Sequence, residues 1–150
     1  MKKVIFISCF FLLAFISPQK TGNTGLQFDG IYQQDPPIID NSDNEHRWYL
    51  RFYKDGKVIS KESIVNPEVL IKNFVVGNAN VLEGSYTLKD NAIELTVFGG
   101  PDPFDKSKMI SYVFSGTIQP NGQLKVKAKN NSTLGAGLNF LDSEMRFLKM

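Results

Sequence analysis

Residues 81–98 of the 150-residue chain read VLEGSYTLKDNAIELTVF, and this stretch decides the fold. Two series of residues spaced two positions apart flank a central Asp90-Asn91 pair, with mostly polar side chains between their members: Leu82, Gly84, Tyr86 and Leu88 before it, and Ile93, Leu95 and Val97 after it. A period of two is typical of strands with one buried face, and an Asp-Asn pair tolerates the positive φ of a tight turn. The stretch therefore predicts a β-hairpin.

Two further hairpins are predicted around Asp55-Gly56 and Asn121-Gly122, because each pair also separates two alternating segments. The length of the loop at Asp55-Gly56 decides whether Val58 or Ile59 points inward, and the sequence leaves both possibilities open. The strands that we predict in all are at about residues 27–34, 46–54, 57–63, 81–88, 92–98, 108–118, 123–129 and 143–149.

A single short helix is predicted in the third connection, over residues 67–74, with Asn66 as its N-cap and Pro67 in its first turn. The fold class is therefore all-β: an eight-stranded antiparallel up-and-down meander that closes into a barrel and so removes its edges. The odd-numbered connections are long and the even-numbered ones are tight turns. We call the two ends of the predicted barrel the long-loop end and the tight-turn end; the long connections are at about 35–45, 64–80, 99–107 and 130–142.

The first strand resembles the segment that opens lipocalins and avidin-type barrels. Gly30-Ile31-Tyr32-Gln33 is similar to their Gly-x-Trp motif, with Tyr32 in place of the tryptophan. Lipocalins also carry a late arginine packed on that tryptophan, and Arg146 occupies a comparable position. The resemblance covers about residues 26–149 and implies a lipocalin-like barrel, as in lipocalin-like proteins secreted by bacteria, that binds a small and often apolar molecule. It also implies that Arg146 lies over Tyr32.

The N-terminus has the pattern of a secretory signal peptide. Lys2 and Lys3 precede the apolar residues 4–16, which as a helix would rise roughly 20 Å and fall short of a membrane span. We expect residues 1–20 to be the signal peptide, with an uncertain cleavage site, and residues 21–150 to form one secreted or periplasmic barrel domain that does not span a membrane. Those residues carry 14 basic and 15 acidic side chains, so their charge does not indicate a nucleic-acid partner.

Motifs for catalysis are missing from the sequence. The chain has one histidine, His46, and its one cysteine, Cys9, lies in the predicted signal peptide. We therefore expect no enzyme activity, no cofactor and no metal centre. The acidic segment 40–45 (DNSDNE) fits either an irregular calcium loop or a solvated turn, and the turn is the expectation.

The predicted function is to bind a small apolar or amphipathic molecule at the long-loop end of the barrel. Trp48 is expected to line the upper barrel. Gly84, Gly116 and Ala128 are expected to leave only local space beside the inward side chains, so that any cavity is shallow and close to the long-loop end. Acidic side chains predominate in the long connections, which favours neutral or cationic ligands. The residues predicted to contact ligand are Trp48, Tyr32, Leu50, Tyr86, Tyr112 and Phe104.

The alternative function is a solid-core β module that binds a protein or envelope partner through its apolar loops. Contiguous exposure of many large apolar side chains is unusual in a monomer, so these residues should either cover the barrel as a plug or form a lid or contact surface. The residues concerned are Ile38, Ile39, Val69, Leu70, Phe74, Phe104, Leu134, Leu138 and Phe140.

Overall fold

The computed structural model describes residues 25–131 and 139–150, with backbone alone for residues 139–141. The predicted signal peptide, Leu134, Leu138 and the side chain of Phe140 lie outside this description. The elements are β1 (Gly30–Asp35), β2 (Ile38–Ile39), β3 (Glu45–Phe52), β4 (Lys57–Ser63), α1 (Pro67–Leu70), a 3₁₀ turn (Ile71–Asn73), β5 (Leu82–Lys89), β6 (Ala92–Pro101), β7 (Met109–Ile118), β8 (Leu124–Asn130) and β9 (Asn139–Lys149).

Eight of these strands form a closed antiparallel barrel. Each strand from β3 to β9 pairs with the next, and β1 closes the sheet between β9 and β3. Tyr32 of β1 shows the closure, because it pairs with Phe147 on one side and with Leu50 on the other. The predicted meander and its closure are confirmed. The two-residue strand β2, which pairs with β3 inside the first long connection, was not predicted.

The tight turns follow the predicted turn residues. Asp90 and Asn91 form a two-residue loop between the paired Lys89 and Ala92, with Asp90 at a φ of 56°. The loop at Asp55-Gly56 has three residues, since Tyr53 N–H donates to the Lys57 carbonyl at 2.9 Å and Gly56 has a φ of 86°. This loop settles the register that the sequence left open: Val58 packs inside the barrel and Ile59 outside it.

The interior of the barrel holds the main core. The predicted inward side chains of β3, β6, β7 and β8 belong to it, including Trp48, Leu50, Phe52, Leu95 and Phe114. The expectation that Gly84 and Gly116 leave local space is wrong. A Cβ added at Gly84 would lie 1.8 Å from the Thr96 carbonyl oxygen, and one at Gly116 would lie 2.0 Å from that of Lys125. The backbone of the neighbouring strand occupies the space that a side chain would fill at each of these glycines.

A second, smaller core lies on the outside of the barrel wall. Asn66 caps α1 as predicted, its side chain accepting the Glu68 N–H at 2.9 Å. Leu70 at the end of α1 and Phe74 after the 3₁₀ turn pack against outward side chains of the barrel, and all of these residues are buried. The outward side chains are those of Ile31 in β1, Tyr49 in β3 and Ile59 in β4. Arg51 fixes the end of this segment by donating to the Phe74 carbonyl at 2.9 Å.

Leu70 and Phe74 therefore form neither a plug nor a lid over the long-loop end. Ile38 packs against the interior core, where it is partly buried. Ile39, Val69 and Phe104 are exposed, with 67% of Phe104 accessible to solvent. The apolar loop residues that the structure describes thus divide among three environments.

Phe74→Ala is expected to destabilise the protein by roughly 2–3 kcal/mol, somewhat below the usual cost of a buried phenylalanine, because the 66–74 segment can detach locally. Phe104→Ala is the matched control, and it should change stability by less than about 0.5 kcal/mol because its ring is exposed. Urea denaturation of both variants measures the difference. Equal urea midpoints for Phe74→Ala and Phe104→Ala would show that the second core on the outside of the barrel, the outer core, does not stabilise the protein.

Candidate functional site

Three of the predicted contact residues fill the interior of the barrel. Tyr32 is fully buried, with its ring centroid 5.5 Å from that of Phe52 and 5.3 Å from that of Phe147. Its hydroxyl accepts the Gln27 N–H at 2.9 Å, and burial raises its pKa. Leu50 is also fully buried, and Tyr86 packs on Phe52 at 5.1 Å.

Arg146 does not lie over Tyr32. It pairs with Gln33, its side chain is half exposed, and its Nη1 lies 3.8 Å from Asp35 Oδ2. The expected arginine contact is wrong because side chains alternate along β9. The next residue, Phe147, points inward and covers Tyr32 in its place.

Trp48 and Tyr112 lie together toward the long-loop end. Their ring centroids are 5.3 Å apart, and Trp48 also contacts Phe114 at 5.6 Å. The backbone N–H of Trp48 donates to Gln34 Oε1 at 3.1 Å, which links the tryptophan to β1. Trp48 is 4% exposed, so the expected inward position is confirmed. Phe104 is far more exposed than either of them.

A polar cluster joins the first long connection to β4 at the same end. His46 Nε2 lies 2.9 Å from Asp40 Oδ2, and His46 Nδ1 lies 3.4 Å from Glu62 Oε1. Asp40 Oδ1 accepts the backbone N–H groups of Ser42 at 2.7 Å and Asn44 at 3.0 Å. Segment 40–45 therefore has the geometry of a hydrogen-bonded turn, the expected one of its two interpretations. Within residues 25–131 and 142–150, no cluster of His, Cys, Asp or Glu is arranged to hold a metal ion.

These hydrogen bonds make the turn sensitive to acid. The Asn44 N–H, followed by the contact with His46, holds the pKa of the Asp40 carboxyl well below its usual range. The charged carboxylate therefore contributes stability above pH ~4, and that contribution is lost as the pH falls toward the lowered pKa. We expect the unfolding midpoint of the wild type to exceed that of Asp40→Asn at pH 7, and the gap to narrow below pH ~4. A gap that stays constant from pH 7 to 2.5 would contradict this role.

An opening in the barrel wall lies between β1, β2 and β9. β1 ends at Asp35, opposite Glu144, whereas β9 continues along β8 as far as Asn139. In the described parts of the chain, β2 pairs with β3 alone, so no ladder connects it to the upper half of β9. We call the cavity of about 530 Å³ in this opening the side cavity; it is lined by Gln34, Asp35, Pro36, Pro37, Ile38, Lys125, Asp142, Ser143 and Glu144.

The side cavity combines an apolar wall with a few polar groups. Pro36, Pro37 and Ile38 supply the apolar wall. Ser143 lines the cavity, and its Oγ is buried without a hydrogen-bond partner within the described residues. The charged groups of the lining are Asp35, Asp142, Glu144 and Lys125. Asp35 lies 3.8 Å from Arg146 and Asp142 lies 3.3 Å from Lys127, so Glu144 is the carboxylate that disfavours an anion in the cavity.

None of the six predicted contact residues is in the lining of the side cavity, and Trp48 is linked to it through Gln34. Gln34 lines it and also holds the backbone of Trp48. Ile38 lines it and packs against the interior core. Sequence reasoning missed Gln34 and Ser143, although their alternation with Tyr32 and with Met145 marks them as polar residues at inward positions. The opening itself had no sequence signal, because it depends on where β1 stops pairing.

Comparison of the chain with family models, curated proteins and solved structures found no match. In the described residues, no helix has both the length and the apolar character needed to cross a membrane. The fold and the geometry of the cavity therefore carry the functional argument.

Proposed function

We propose that this chain is a secreted or periplasmic lipocalin-like barrel that binds one small amphipathic molecule, neutral or cationic, in the side cavity. The observation that carries the proposal is the opening between β1, β2 and β9, with its volume of about 530 Å³ at the long-loop end. Small-molecule sites in proteins commonly have volumes of roughly 300–1,000 Å³, with mainly apolar walls and a few polar groups.

The lining suggests how such a molecule lies. Its apolar part contacts Pro36, Pro37 and Ile38, and a polar group meets Ser143 Oγ. The carboxylate of Glu144 favours a positive charge at the outer end, whereas that of Asp35 already lies beside Arg146. Binding rather than catalysis is proposed, because both ring nitrogens of His46 face carboxylates, that of Asp40 in the turn and that of Glu62 in β4.

Fluorescence of Trp48, the only tryptophan, provides the test. We expect dodecylamine, which is cationic at pH 7, to shift or quench the emission saturably through the Gln34 contact, and laurate of equal chain length to bind more weakly. Ser143→Ala should weaken dodecylamine binding by roughly 2- to 10-fold, the value of one hydrogen bond. An unchanged spectrum with both probes at submicellar concentrations would overturn the proposal.

A matched pair of leucine variants checks the location of binding. Ser143→Leu places an isobutyl group in the side cavity and should abolish dodecylamine binding. Ser115→Leu makes the same change at an exposed position of β7 and should leave binding intact. If both variants bind dodecylamine as the wild type does, the site lies elsewhere.

The alternative is a protein-binding module, and the exposed apolar side chains of the long connections favour it. Phe104 is 67% exposed and Ile39 is 54% exposed. A barrel that binds none of the amphipathic probes, but whose capture of an envelope protein is lost in Phe104→Ser, would support this function.

A further inference from the structure

A second cavity lies on the outer surface of the barrel, separate from the side cavity. It has a volume of about 400 Å³ and runs between the chain that leaves β4 and the outer faces of β1 and β9. We call it the outer groove; its lining is Gln33, Glu45, Arg47, Tyr49, Ser63, Ile64, Val65, Asn66, Pro67, Arg146 and Leu148.

Gln33 gives the outer groove an unsatisfied acceptor. The side chain lines the groove, the residue is only 3% exposed, and its Oε1 has no hydrogen-bond partner within the described residues. A buried acceptor without a partner is unfavourable, and a ligand N–H would satisfy it. Tyr49 cannot do so, because its hydroxyl donates to the Val65 carbonyl at 3.3 Å.

The cationic groups of the groove differ in their availability. Arg47 donates to the Gln34 carbonyl at 3.1 Å and to Glu45 Oε2 at 3.1 Å, so it neutralises the one acidic residue of the lining. Arg146 is half exposed, and its contact with Asp35 is long, at 3.8 Å. Its remaining N–H groups can form the paired hydrogen bonds that a carboxylate accepts.

An apolar rim completes the groove. Ile64 and Val65 line the groove and remain partly accessible to solvent, with 62% of Ile64 and 42% of Val65 exposed. Leu148 of β9 is a further apolar residue of the lining. The groove therefore presents an acceptor, a guanidinium and an apolar edge to a single ligand.

We propose that the outer groove binds an N-acylated α-amino acid group with an aliphatic side chain. The carboxylate pairs with Arg146, the amide N–H donates to Gln33 Oε1, and the side chain packs on Ile64 and Val65. Free acylated amino acids and the carboxyl termini of peptides share this chemistry. The inference is independent of the function proposed for the side cavity.

Titration of the protein with N-acetyl-leucine, followed by two-dimensional ¹H–¹⁵N NMR, tests the inference. We expect saturable shifts at the amides of Gln33, Val65 and Leu148, and at least roughly tenfold weaker binding of N-acetyl-leucinamide, which lacks the charge. N-acetyl-Ala-Ala-Leu distinguishes the two sources: tighter binding than N-acetyl-leucine indicates a peptide terminus, and equal binding indicates a free acylated amino acid. Equal affinity for the acid and the amide, or no shifts at these residues, would overturn the proposal.

Two variants separate the roles of the polar groups. Arg146→Gln should abolish the preference for the acid over the amide, whereas Lys149→Gln, which removes one exposed charge from the same strand, should preserve it. Gln33→Met keeps the side-chain length without the acceptor, and should weaken binding of both compounds while leaving the unfolding midpoint equal or higher. Retention of wild-type binding in Gln33→Met, or of the acid preference in Arg146→Gln, contradicts the inference.

Discussion

Gly84→Ala is expected to destabilise the barrel by about 3 kcal/mol, at the upper end of the usual cost of overpacking. The added methyl group would lie 1.8 Å from the Thr96 carbonyl oxygen, and the atoms within reach are backbone atoms of β6. A flexible side chain could rotate away, but a paired strand must shift as a whole. Relief of the contact therefore breaks hydrogen bonds between β5 and β6.

Gly100→Ala is the matched control for Gly84→Ala. Both glycines lie in strands, but a Cβ at Gly100 meets nothing within 4 Å. Urea denaturation should place the Gly100→Ala midpoint close to that of the wild type and the Gly84→Ala midpoint well below it. Gly116→Ala, with its Cβ 2.0 Å from the Lys125 carbonyl oxygen, should behave like Gly84→Ala. Equal urea midpoints for all three variants would show that the neighbouring strands can move away from the added methyl groups without loss of stability.

Phe52→Ala is expected to cost about 4 kcal/mol, because it removes a fully buried ring and leaves a cavity. Phe52 stands between two other rings, with Tyr32 at 5.5 Å and Tyr86 at 5.1 Å, both edge-on. Loss of Phe52 therefore removes two aromatic contacts as well as the buried area.

Phe98→Ala provides the comparison within the same barrel. Phe98 lies in β6 and is 50% exposed, so its removal should cost less than about 1 kcal/mol. Trp48 emission during urea denaturation reports both variants. If Phe52→Ala unfolds at the same urea concentration as Phe98→Ala, the aromatic cluster does not stabilise the fold as its burial indicates.

The strands and hairpins could be predicted from the sequence because their signals are local. Leu82 to Leu88 alternate on one strand, and Ile93 to Val97 alternate on the next, with Asp90-Asn91 between them. The eight-stranded closure follows from these local features, since an antiparallel meander has its first and last strands free to meet. Loop length then separates the two ends of the barrel.

The outer core could not be predicted, because it joins residues that are distant in sequence. Tyr49 and Ile59 occupy outward positions, and alternation alone assigns such positions to solvent. Phe74 needs a partner, but nothing local identifies the outside of β3 and β4 as that partner. The two inward glycines also misled the prediction, because a missing side chain indicates either free space or close backbone approach, and the sequence does not distinguish them.

The candidate sites were predictable only in part. Trp48 was placed correctly at an inward position toward the long-loop end. Gln33, Gln34 and Ser143 are single polar residues without a motif. The significance of Gln33 and Ser143 depends on their unpaired buried atoms, and that of Gln34 on its contact with Trp48, which only the three-dimensional structure supplies.

The closure of the barrel by β1 also determines the order in which the chain can fold. Gly30 pairs with Lys149, so the ladder between β1 and β9 joins the two extremes of the described chain. Such contacts form slowly, because the entropy of closing a long loop must be overcome before any of them form. The hairpins can form while the chain is being made, but β1 and β8 keep open edges until β9 is present. Until then the chain is an unclosed sheet, whose exposed edges invite pairing with other chains.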